Sequence, residues 1–82
     1  MLGKNLQQYE KAIASYDKAI QIKADFYQVW VRRGWTLAQM GRYQEALDSV
    51  DKALQIAPNN RFAREVQTLL LQKIRKIPII LP

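Results

Sequence analysis

The sequence predicts an all-α fold of antiparallel helix–turn–helix repeats stacked in a short array. Three observations carry that prediction. Tyr9, Ala12, Ser15, Asp17, Lys18, Ala19, Gln21 and Ile22 recur, at one constant offset, as Tyr43, Ala46, Ser49, Asp51, Lys52, Ala53, Gln55 and Ile56. An offset of this length marks arrays in which each unit buries its apolar face only against its neighbours. Apolar residues in the matching segments fall three and four apart, the spacing of one helix face. Finally, only Arg42 separates the turn glycine Gly41 from the second stripe, and so short a link makes the flanking helices run antiparallel.

The first helix carries Tyr9, Ala12, Ile13, Tyr16, Ala19 and Ile20 on one stripe. Between Asn5 and Ile22 nothing local breaks a helix, so one continuous helix stands beside a helical hairpin as an expectation. The second helix carries Val29, Trp30, Gly34, Leu37 and Ala38. Asp25, with Gln28 three residues on, has the pattern of a capping box at its start. Gly41 ends it, because glycine takes the left-handed conformation of a helix C-terminus without a Cβ penalty. Gly34 lies in the interior, where glycine costs about 1 kcal/mol relative to alanine. Close approach of another backbone is a physical reason, and the small Ala46 is the expected neighbour.

The third helix repeats the first stripe as Tyr43, Ala46, Leu47, Val50, Ala53 and Leu54. Pro58 stops it, because proline cannot continue the backbone ladder. Asn59 and Asn60 supply turn and cap chemistry. A fourth helix is expected from about Arg61 to Lys76, with Ala63, Val66, Leu70 and Ile74 on one side. Residues 77–82 read as an extended apolar tail, since each proline disfavours helix in the residue before it.

Composition narrows the chemistry. The chain has 82 residues, no cysteine and no histidine. Thiolate metal sites, disulfides and the commonest general base are therefore missing. No two acids are spaced to converge in one pocket, so an enzyme is not expected, nor a cofactor, a metal or a small-molecule substrate. No segment has the apolar length of a membrane span, and a soluble cytoplasmic protein is the expectation. Thirteen basic residues against seven acidic give a net charge of +6, which favours acidic partners. Nucleic-acid binding through the basic fourth helix is disfavoured, because only Phe62 supplies an aromatic near that charge for base stacking.

Trp30, Gly34, Leu37, Gly41, Tyr43, Ala46, Ala53 and Pro58 resemble the signature of the tetratricopeptide repeat, a helix–turn–helix unit. By this resemblance 27–60 is one complete repeat, and 1–26 is a partial N-terminal repeat made chiefly of its second helix. Residues 61–76 are then a capping helix or the opening of a third unit. Arg33 stands where the family usually has leucine, and Val50 where it prefers an aromatic. Ala24 replaces a boundary proline, which implies a looser junction there, and Gln7 and Gln8 replace the glycine turn.

The resemblance implies a right-handed superhelix whose concave groove holds an extended peptide or a partner's helix. Gln28, Val31, Arg32, Trp35, Gln39, Phe62 and Leu69 would line it, together with Glu65. Family members that bind chaperone tails clamp a terminal carboxylate with asparagine and basic residues. Arg32, Phe62 and Val66 occupy positions of that clamp, which disfavours such a role. Trp35 is the expected contact residue, because tryptophan offers a large rigid surface at low entropic cost. Arg32 and Arg33 could grip a carboxylate or phosphate. Asp17, Asp51, Lys18 and Lys52 are expected to be solubilising outward positions. Self-association through the open repeat face or the apolar tail is the alternative to a groove-bound partner.

Overall fold

The structure, a computed structural model, describes residues 2–75, with side-chain surroundings from residue 6 onward. The end of the expected fourth helix at Lys76 and the apolar tail 77–82 lie outside the described residues. Four helices follow in order: α1 (Leu2–Ile22), α2 (Tyr27–Gln39), α3 (Tyr43–Ile56) and α4 (Arg61–Arg75). Each packs on its sequence neighbour, and α2 also touches α4. The described part is only 17 Å deep in its thinnest direction, as two layers of helices require. The expected architecture of stacked antiparallel helix pairs is the one found.

α1 is one continuous helix, so Gln7 and Gln8 do not make a turn. Both are good helix formers, and no glycine is present there to reverse the chain. At its far end the main chain turns through Ala24 and Asp25. The indole Nε1 of Trp30 donates to the carbonyl of Ala24 at 2.7 Å. That bond ties the junction from the α2 side, next to the position where Ala24 replaces the boundary proline. Trp30 accordingly packs half-buried against the core and is not enclosed by it.

The capping box at Asp25 is not formed. Phe26 is the cap residue of α2 and makes no side-chain cap bond. Its carbonyl already accepts from the amides of Val29 at 3.0 Å and Trp30 at 3.4 Å. The helix therefore begins one residue too late for Asp25 to reach the orphan amides.

The other helix ends follow their local chemistry. Gly41 has φ +78°. The Gly41 amide donates to the Ala38 carbonyl and the Arg42 amide to that of Leu37, both at 3.0 Å. This is the paired bonding of a Schellman turn. α3 ends at Ile56, two residues before Pro58. The Asn60 Oδ1 then accepts from the Ala63 amide at 2.8 Å, capping α4.

The core runs along the α2–α3–α4 seam as Val31, Leu37, Ala46, Val50, Ala53, Ala63, Val66 and Leu70. Gly34 lies in the contact of α2 with α3. A Cβ added there would sit 2.5 Å from Val50 Cγ2 and 3.0 Å from the Ala46 carbonyl oxygen. The expected approach to Ala46 is present, and Val50, one turn further along α3, crowds the same point.

Candidate binding groove

Helix periodicity places Gln28, Arg32, Trp35 and Gln39 along one face of α2, away from the Gly34 seam. α4 presents Phe62 and Leu69 beside them. Both rows obey the repeat: Phe62 and Leu69 are the repeat mates of Gln28 and Trp35. The indole of Trp35 and the ring of Phe62 face each other with centroids 6.5 Å apart and planes tilted by 49°, a favourable aromatic separation. Trp35 is nonetheless 44% exposed, Phe62 54% and Leu69 50%.

Two cavities adjoin at Trp35. The first, about 410 Å³, is lined by Tyr16, Tyr27, Gln28, Val31, Arg32, Trp35, Thr36, Asn60 and Phe62. The second, about 310 Å³, is lined by Trp35, Ala38, Gln39, Tyr43, Val66, Leu69, Leu70 and Lys73. All seven expected groove residues therefore fall in one cavity or the other. Val31 has a different part from the rest: at 4% exposure it belongs to the core and forms the floor. Glu65 is not in the groove. It lines a separate recess with Asn59, Arg61, Arg64 and Thr68.

Among the lining residues that sequence reasoning did not place in the groove are Tyr16, Tyr27, Thr36 and Asn60 in the first cavity and Lys73 in the second. Periodicity puts Tyr16 only on an apolar stripe of α1, yet the packing of α1 on α2 brings it to the groove wall. Lys73 had a legible signal, because it is the repeat mate of Gln39.

Arg32 and Arg33 part company. Arg32 is exposed in the first cavity. Arg33 turns the other way: Nε donates to Asp17 Oδ1 at 2.7 Å and Nη1 to Ser49 Oγ at 2.6 Å. It is a cross-helix tie, not an open anion grip. Asp17 is thereby more than a solubilising residue, and Asp51 Oδ1 likewise accepts from Gln67 Nε2 at 2.9 Å. Lys18 and Lys52 are exposed, as expected.

Polar groups elsewhere are accounted for. Among the described residues no buried side-chain donor or acceptor lacks a partner. No group of three metal-ligating side chains occurs among them. Nor is any described helix long and apolar enough to cross a membrane. The exposed pair Arg42–Glu45 is bidentate at 2.6 and 2.7 Å. The guanidinium's hydrogen bonds hold the Glu45 carboxyl below its ordinary value and raise that of Arg42.

This geometry of paired helices and a two-row groove belongs to a known class. One family model described as Tetratricopeptide repeat matches residues 27–60, and a second with the same description matches residues 1–26. The chain belongs to the tetratricopeptide repeat family, with between one and a half and two repeats. Such repeats are generally protein–protein interaction modules. No curated protein matches the chain.

Proposed function

We propose that the chain is a protein-interaction module of scaffold or adaptor type, binding a peptide or helix of a partner in the groove between α2 and α4. The observation that carries this reading is the exposure of Trp35 and Phe62 across a cavity to which three helices contribute. Large aromatic side chains left open in a concave site are where binding energy concentrates. No acid, histidine or cysteine lines either cavity, which supports a binding role without catalysis; the cytoplasm is the location proposed with it. A peptide selection on the full chain, repeated with Trp35→Ala, tests it. Loss of captured peptides with an unchanged helical circular dichroism spectrum supports the groove, and equal capture by both proteins refutes it.

The domain reading that goes with this function takes 1–26 as a partial repeat, 27–60 as the complete one, 61–76 as a closing helix and 77–82 as a tail. The polarity of α4 supports the closing role. The face that carries Trp30, Gly34, Leu37 and Ala38 in α2 carries Arg64, Thr68, Leu71 and Gln72 in α4. Three of those four are exposed, and such a face suits water better than another helix.

Self-association is the second reading, favoured by α1. Ala12, Tyr16 and Ala19 are only partly buried, whereas their repeat mates Ala46, Val50 and Ala53 are 0% exposed. The slot that α2 fills against α3 is thus open in front of α1, and a second copy would close it. Light scattering at low micromolar concentration decides the matter; a monomer that melts cooperatively removes this reading.

A further inference from the structure

The two cavities beside Trp35 each contain one cation and no acid. Arg32 lines the first and Lys73 the second, and neither aspartate nor glutamate contributes to either wall. Other basic side chains are differently placed. Arg33 and Arg42 have carboxylate partners, and Arg61 and Arg64 share their recess with Glu65. Among the described residues Arg32 and Lys73 form no ion pair. A concave site with one sign of charge concentrates ligands of the other.

Spacing gives the pattern of the ligand. Arg32 precedes Trp35 by three residues, about 4.5 Å along a helix axis. Lys73 is the repeat mate of Gln39, four residues past the level of Trp35, or about 6 Å. An extended peptide advances about 3.3 Å per residue. Charges on the ligand therefore belong one or two residues to either side of an apolar centre.

We infer that the groove takes an internal, extended stretch of an acidic peptide. Its large apolar side chain rests on Trp35 and Phe62, one side-chain carboxylate meets Arg32 and a second reaches Lys73. The inference rests on the groove reading proposed above and adds the chemistry of the partner. An internal stretch fits because the cavities extend to both sides of Trp35 and each has its own cation; a chain end would use only one. A nucleic-acid strand fits less well. It presents a phosphate at every nucleotide and calls for a continuous basic track, whereas Arg61 and Arg64 lie outside the groove.

The test uses the full chain and fluorescein-labelled nonapeptides with blocked termini, read by anisotropy. Each has a central leucine flanked two residues away by glutamate, glutamine or lysine. The glutamate peptide is expected to bind at least about tenfold tighter than the glutamine peptide, as a charge-assisted hydrogen bond implies. Arg32→Gln should remove most of that preference and leave the glutamine peptide unaffected. Lys73→Gln should remove a smaller part. Trp35→Ala should weaken all peptides while the circular dichroism spectrum is unchanged.

Equal binding of glutamate and glutamine peptides, or an indifferent Arg32→Gln with a damaging Trp35→Ala, overturns the acidic partner and leaves the groove standing. A Trp35→Ala variant that is folded and binds normally overturns the groove and the inference together. A peptide with a free terminal carboxylate that outcompetes the internal acids overturns the internal mode. So does a decauridylate that binds more tightly than the glutamate peptide and is lost in Arg32→Gln. A dimer that dissociates on Arg32→Gln would make a second copy the occupant, again against the inference.

Discussion

Arg33 donates to Asp17 across the α1–α2 contact, and one repeat further on Gln67 donates to Asp51 across the α3–α4 contact. The sequence separation is the same in both bonds, 17 to 33 and 51 to 67. The array thus repeats a polar tie as well as an apolar stripe. The first tie has the added bond to Ser49, whose side chain is almost completely enclosed, so Arg33 links three helices.

Arg33→Ala should therefore destabilise the fold, but modestly. The pair is partly open, with 24% of the Arg33 side chain and 48% of the Asp17 side chain exposed, so solvent screens it. A loss of about 1 kcal/mol is expected. Arg33→Gln should recover part of it, since glutamine makes the equivalent bond at position 67. Thermal melts of the two variants in low salt compare them directly.

Gly34→Ala should cost more. Alanine gains helix propensity, but its Cβ would collide with the Ala46 carbonyl and with Val50. Side-chain rotation can relieve the Val50 overlap but cannot move a backbone oxygen, so α2 and α3 must also give by a few tenths of an ångström. A net loss of about 1–3 kcal/mol is expected. The companion Val50→Ala relieves only one of the two clashes. If the double variant fully restores the melting temperature of Val50→Ala alone, the carbonyl contact has no energetic weight.

Trp30→Phe keeps the apolar ring and removes the donor to Ala24. The α1–α2 junction should loosen, with a stability loss of about 1 kcal/mol. Amide exchange at Phe26, whose own bond to the Lys23 carbonyl is 3.3 Å, should quicken more than exchange in α3. Uniform quickening would mean that the indole bond has no local role.

Glu45 supplies a pH test. Its carboxyl is held below the ordinary 4.5 mainly by the hydrogen bonds from Arg42. A lowered folded-state value stabilises above the unfolded value, and the gain disappears as pH falls through the lowered one. The pair is solvent-exposed, so its effect on melting should be small and should fade in salt. An NMR titration should find the Glu45 midpoint below 4.5, returning toward it in Arg42→Ala. An unchanged midpoint in that variant would show that the contact does not persist in solution.

Much of the fold could be read locally. Gly41, Pro58 and Asn60 mark helix ends because capping depends on φ, on a missing amide or on a side chain three residues away. Asp25 failed as a cap because α2 starts at Tyr27 with Phe26 as its cap residue, one place later than the box requires, a register that residue types do not reveal. The groove face of α2 was legible because Gln28, Arg32, Trp35 and Gln39 share one helical side. Tyr16 escaped notice because it reaches that groove from another helix.

By itself, then, the order of residues determined the helical repeat, its length and which side of α2 carries Trp35 away from the Gly34 seam, since these depend on periodicity and neighbours a few positions apart. Packing alone decided that Arg33 is engaged while Arg32 is open, and that Lys73 shares the groove with Trp35. Two adjacent arginines point about 100° apart on a helix. What each one meets is set by whichever helix lies opposite, and that partner comes from far along the chain.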